Sequence, residues 1–192
     1  MNKYLLKVDL FGDPRVGKLA LIERLVQNRF YLVELINYSA TLRDERPKSR
    51  STCPFYIKDY SIEEKIIKLQ LWSNHYEEDL QRFRRRNLKF FSQGLVLSYD
   101  LTRNKTLYNL ENWLEVLQEK VDLFEIPKIL VGCKLDLEEK CQVSKEEALE
   151  FAITHHFQKD EVFETSAKTG MNVELIFTTI MKKIINKLES NN

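Results

Sequence analysis

The chain has 192 residues, 43% of them hydrophobic and 11% aromatic, enough to bury the core of one ordinary domain. Thirty basic residues against 29 acidic ones leave a formal net charge of +1, so the overall field selects for neither nucleic acid nor a membrane surface. No apolar run reaches the ~18 residues of a membrane span, and Cys53, Cys133 and Cys141 are odd in number and lack zinc or redox spacing, so a cytoplasmic monomer with free thiols is expected.

In chain order, strands are predicted at Tyr4–Phe11, Phe55–Lys58, Ile66–Trp72, Leu95–Tyr99, Lys128–Val131 and Val162–Thr165. The first runs into Gly12-Asp13-Pro14-Arg15-Val16-Gly17-Lys18, after which Leu21, Ile22, Leu25 and Val26 recur at helical spacing. A glycine-bounded loop between strand and helix turns successive backbone N–H groups toward a phosphate at the helix N-terminus, and Lys18 can reach its outer oxygens. The phosphate-loop pattern then requires Ser or Thr, whose hydroxyl binds Mg²⁺. Leu19 and Ala20 stand there instead and offer no oxygen to a hard cation. Arg15 occupies a position where glycine is more comfortable, which predicts backbone strain.

The polar stretch Asp59 to Lys65 is too short for a crossover helix, so the second and third strands should form an antiparallel hairpin at one edge. Later apolar residues recur at three and four in a helix carrying Leu107, Leu110, Leu114, Leu117 and Val121, and in a last helix carrying Val173, Ile176, Phe177, Ile180 and Ile184. His155 and His156 are adjacent, point about 100° apart on a helix, and cannot comfortably share a metal. The alternation of strands and helices predicts an α/β fold: a six-stranded, mostly parallel sheet with one antiparallel edge strand and helices on both faces. One domain is expected over 1–188, followed by a frayed polar tail at 189–192.

With these segments in order, the sequence resembles the Rab branch of the Ras-like small GTPases from Lys3 to Leu188. Lys68-Leu69-Gln70-Leu71-Trp72, Tyr99-Asp100-Leu101-Thr102 and Trp113-Leu114 match the third strand, the fourth strand and the following helix. Val131-Gly132-Cys133-Lys134-Leu135-Asp136 and Glu164-Thr165-Ser166-Ala167-Lys168 resemble the two base-recognition motifs, at strand ends as the fold demands. The resemblance implies that Asp136 accepts from the ring N–H and amino group of guanine, that Lys134 lies along the base plane, and that Ala167 and Lys168 close its other side. Cys133 replaces the usual Asn. GTP or GDP would be held by Gly12, Gly17, Lys18, Lys134, Asp136, Ala167 and Lys168, with Arg15, Val16, Leu19, Ala20, Cys133 and Ser166 around them.

The switch motifs depart from the family. After Trp72 the family has Asp-x-x-Gly and a catalytic Gln, whereas this chain continues Ser73-Asn74-His75-Tyr76-Glu77-Glu78-Asp79-Leu80, with no glycine between Gly17 and Gly94. The Gln position falls on Glu77 or Leu80 according to the alignment, and neither orients water as Gln does. The stretch from Lys18 to Phe55 is longer than Rabs need, and its magnesium-binding threonine is Thr41 or Thr52, with Thr41 preferred. Arg43, Arg46, Lys48 and Arg50 in the insert Leu42–Pro54, with Arg82, Arg84, Arg85, Arg86 and Lys89, would form one basic surface for an acidic protein partner or anionic phospholipid heads. No aromatic residue interleaves Arg84–Arg86, against a single-strand nucleic-acid role. No cysteine follows Cys141 to carry the prenyl anchor of Rabs, so either a lipidated tail lies beyond this sequence or membranes would be reached through partners. The expectation is a guanine-nucleotide binder with doubtful Mg²⁺ and little hydrolysis. The alternatives are an atypical but active GTPase switch and a nucleotide-free interaction module.

Overall fold

The computed structural model describes residues 3–30, 55–62, 64–73 and 91–190. Six strands, β1 (Lys3–Phe11), β2 (Phe55–Ile62), β3 (Lys65–Ser73), β4 (Gly94–Asp100), β5 (Lys128–Cys133) and β6 (Val162–Thr165), form one sheet in the order β2-β3-β1-β4-β5-β6. Only β2 runs antiparallel to its neighbour. The helices are α1 (Lys18–Gln27), α2 (Lys105–Tyr108), α3 (Leu110–Gln118), α4 (Lys145–Thr154) and α5 (Val173–Ser190).

Every residue of β4 and β5 is buried, as parallel strands covered on both faces must be, which is why Leu95-Val96-Leu97 and Ile129-Leu130-Val131 read as unbroken apolar runs. On one face Leu21, Ile22 and Leu25 of α1 and Val173, Ile176, Phe177, Ile180 and Ile184 of α5 pack on Leu6, Val8, Leu10 and Val96. On the other, Leu107, Leu110, Trp113, Leu114 and Leu117 of α2 and α3 join Ala148, Phe151 and Ala152 of α4 over Phe11, Leu95 and Leu97. The helix expected to run through Val121 is two consecutive segments that end at Gln118, leaving Val121 half-buried beyond them. No helix among the described residues is long and apolar enough to cross a membrane.

Most strand ends lie within two residues of the sequence expectation, and two further differences change what a segment does. β2 continues through Ile62, which pairs with Lys65, so most of the supposed polar connection Asp59 to Lys65 is ladder. Its residues alternate between exposed Asp59 and Ser61 and half-buried Tyr60 and Ile62, the period of two that an edge strand with one covered face requires. α5 runs to Ser190, and Glu189 accepts from the Tyr4 hydroxyl at 2.7 Å and from Lys65 Nζ at 3.0 Å, so this residue belongs to the packed helix rather than to a frayed tail.

Candidate functional site

The C-terminal ends of the parallel strands β1, β4, β5 and β6 open on one edge of the sheet, where doubly wound folds hold ligands. The loop after β1 carries the closest packing there. Gly12 is buried at φ 133°, and a Cβ on it would lie 2.0 Å from the Ser98 carbonyl oxygen, so no other residue fits. Gly17 caps α1 at φ 123°, with a would-be Cβ 3.3 Å from the Cys133 Cβ. Arg15 adopts a left-handed φ of 64°, the strain its position predicted, while its side chain is exposed and Val16 is buried.

Lys18 is 3% exposed, and its ammonium donates to the carbonyls of Gly12 (2.5 Å) and Asp13 (2.7 Å), so the cation folds back over its own loop. Leu19 and Ala20, both half-buried, complete the first turn of α1. The outer flank of the loop is tied to the far side of β4. Asn109 Nδ2 donates to Asp13 Oδ2 at 2.7 Å, and Arg103 Nη2 donates to the Pro14 carbonyl at 3.3 Å.

Cys133 ends β5 behind this loop, and burial pushes its thiol up to about 12, with the Asp100 carboxylate adding to the rise and Lys18 and Lys134 opposing it. Lys134 follows in a left-handed turn (φ 70°), and its ammonium rests on Asp100 Oδ2 at 2.6 Å. Asp100 is fully buried at the end of β4, where Thr102 also gives it two hydrogen bonds and Arg103 Nε a third. Asp136 lies in the next turn. Its Oδ1 accepts from Ser166 Oγ at 2.6 Å, while Oδ2 is 3.9 Å from Lys168 Nζ. Ala167, 9% exposed, and Lys168 turn their carbonyls toward α1, where Arg24 Nε and Nη2 meet them at 2.6 and 2.7 Å.

The arrangement therefore joins a glycine cradle at a helix head, a buried ammonium and, one strand over, a carboxylate aligned by a hydroxyl. That donor and acceptor set fits a purine nucleotide whose base presents two N–H groups, with its phosphates on the loop. Thr41, Thr52, Glu77, Leu80, the insert 42–54 and the basic run with Arg82, Arg84, Arg85, Arg86 and Lys89 lie outside the described residues. His155 and His156 lie apart from the site and from each other's contacts: His155 leans on Phe151 and sits 3.6 Å from Glu111, whereas His156 packs on Phe124.

Sequence reasoning missed Asp100, Arg103, Asn109 and Arg24 as parts of this site. Asp100 carried a signal, a carboxylate at the C-terminal end of a wholly apolar strand. Arg24 and Asn109 carried none, because the groups that bring them to the site are carbonyls and a carboxylate far away in sequence, and Arg103, although three residues from Asp100, carried none for its reach to the Pro14 carbonyl.

Comparison with known proteins places the chain among relatives. A sequence profile of the Ras family matches residues 7–186. The bovine (Bos taurus) Ras-related protein Rab-13 is 33% identical over 196 residues, covering 98% of this chain and 87% of its own length. Ras-related protein RABA4b of Arabidopsis thaliana is 35% identical over 98% of this chain and 76% of its own, and human (Homo sapiens) Ras-related protein Rab-8B is 32% identical over 96% and 81%.

Proposed function

The chain belongs to the Ras family, on its Rab-like side, and we propose that it binds guanine nucleotide with little help from Mg²⁺, hydrolyses GTP very slowly or not at all, and works by engaging protein partners in the cytoplasm. The observation that carries this reading is the head of α1, where a buried Lys18 in a glycine cradle is followed directly by Leu19. The nucleotide-binding half of the machinery is present. The residues at the magnesium position do not fit the ion, because an alkyl side chain cannot complete a near-octahedral oxygen shell and Ser73, at the end of β3, has no charge to hold ordered water around it. Charge on the transferring phosphoryl group would then lack its main electrostatic partner, in a family whose members hydrolyse at only about 10⁻⁴ s⁻¹ unaided.

A protein partner has a surface to meet. On the leaf formed by β2, β3 and β1, Leu5, Phe55, Ile57 and Ile66 are exposed, Phe55 stacks on Trp72 with ring centroids 5.2 Å apart, and Lys7 lies over that indole. Exposed apolar side chains on one face mark contact surfaces.

The test is nucleotide release. Addition of EDTA should hardly change the rate at which bound GDP or GTP dissociates, and Leu19→Ser with Ser73→Asp should create part of the missing sensitivity. Release that accelerates many-fold in EDTA, or Mg²⁺-dependent turnover at the rate of ordinary Rabs, would overturn the proposal in favour of an active switch.

A further inference from the structure

We infer that Arg24 is a positioning residue for base selection, acting from α1 through one peptide unit of the loop after β6 to aim the Asp136 carboxylate. The inference deepens the reading of the site as a guanine-nucleotide pocket and rests on it.

The guanidinium reaches two successive carbonyls of that loop, Ala167 through Nε at 2.6 Å and Lys168 through Nη2 at 2.7 Å. Its remaining arm, Nη1, donates to the Asn28 carbonyl and side-chain oxygen, both at 3.2 Å, which fixes the fork against the end of α1. A planar, five-donor fork of this kind holds two acceptors in fixed relative positions, which a single-point cation cannot do.

All described peptide bonds are trans, so the carbonyl and N–H of one unit point to opposite sides. Arg24 holds the carbonyl of the Lys168–Thr169 unit on the α1 side. The N–H of the same unit, that of Thr169, therefore faces the other way, and it donates to Ser166 Oγ at 3.1 Å. With one of its two lone pairs so engaged, the Ser166 hydroxyl directs its own proton to Asp136 Oδ1 at 2.6 Å. The chain of bonds thus runs from Arg24 through a rigid amide and one hydroxyl to the carboxylate that meets the base. A hydroxyl rotor turns to suit its neighbours, and the Thr169 N–H, by occupying one of its two lone pairs, biases the Ser166 proton toward Asp136.

The same helix begins at Lys18, so the phosphate and base halves of the pocket share one rigid element. Two further backbone bonds of the loop, Gly170 N–H to the Ser166 carbonyl and Ser166 N–H to the Met171 carbonyl, close the turn without touching the Lys168–Thr169 peptide unit, while the Thr169 hydroxyl accepts from Met171 N–H at 3.3 Å.

The experiment uses the full chain with Arg24→Ala, Arg24→Lys, Ser166→Ala and the Arg24→Ala/Ser166→Ala double variant. GDP, inosine diphosphate, which lacks the exocyclic amino group, and pyrophosphate are titrated against each. Arg24→Ala should cut the preference for GDP over inosine diphosphate about tenfold, the scale of one hydrogen bond, while pyrophosphate affinity stays unchanged. Arg24→Lys should recover part of the preference, and the double variant should lose no more than Ser166→Ala, because both changes break the same chain. Hydrogen exchange at the Thr169 amide should quicken in Arg24→Ala while the amides of β5 keep their protection. Equal weakening of all three ligands, or unchanged Thr169 exchange, would overturn the inference. A parent chain with no preference for GDP would instead overturn the reading of Asp136 as the base acceptor, and Thr169 exchange alone would then decide for or against the Arg24 clamp.

Discussion

Asp100 accepts four hydrogen bonds, from Thr102 N, Thr102 Oγ1, Arg103 Nε and Lys134 Nζ. Burial on its own would raise its pKa, but the bonds from Lys134, Thr102 and Arg103 outweigh that effect and hold the carboxyl below its ordinary 3.8. A carboxyl whose folded pKa lies below its unfolded value stabilises the fold fully at neutral pH, and that stability drains away as pH falls from about 4 through the lowered value. Asp100→Asn removes the charge that Lys134 and Arg103 face. At pH 7 it should cost about 2 kcal/mol, toward the low end for a broken buried pair because both cations are partly solvated. The deficit should shrink as pH falls below about 4 and through the lowered value, where the parent has lost the same interaction. Urea melts of both proteins across that range would show it, and a pH-independent gap would rule out the carboxylate as the cause.

At the scale of elements, β4 ties the two cores together and contains two buried hydroxyls, of Ser98 and Tyr99, without a hydrogen-bond partner among the described residues. Tyr99 is fully buried in the middle of the sheet, its hydroxyl meets no hydrogen-bond partner among the described residues, and burial pushes its phenol well above its ordinary pKa. An unpaired buried hydroxyl costs more than it returns, so Tyr99→Phe should leave the fold unchanged and raise stability by about 1 kcal/mol in chemical denaturation. A clear loss of stability would mean that the hydroxyl holds a bound water. The elements themselves were mostly legible from sequence. Unbroken apolar runs gave β4 and β5, helical spacing gave α1 and α5, and the glycines with Lys18 gave the phosphate loop, because each signal is local. What escaped was set by register. Pairing of Asp100 with Cys133 across β4 and β5 brings Lys134 within reach of a carboxylate 34 positions away, and no spacing in the chain announces that contact. Arg24 escaped for the same reason, since its acceptors are backbone oxygens more than 140 positions along.

For the molecule as a whole, the site draws on the middle and one end of the sheet order, with α1 and its loop near the middle and the turns after β5 and β6 at one edge. A nucleotide that touches all of them should stabilise the entire fold by mass action, about 2.7 kcal/mol at a concentration one hundred times its Kd. GDP should therefore raise the melting temperature in a scanning fluorescence assay where ADP at the same concentration does not, and Asp136→Ala should erase the difference. Equal shifts from the two nucleotides in the parent would argue against selection by that carboxylate. The docking of Glu189 onto Tyr4 and Lys65 bears on how such experiments are set up. Tyr4 stands at the entry of β1 and the phosphate loop at its exit, so the two are separated by most of a strand, roughly 25 Å at the usual rise per residue. A biotin or fluorophore attached at Ser190 in the last turn of α5 would sit at the pole opposite the glycine loop, and the protein could be mounted on a sensor surface through that turn with the loop open to flow.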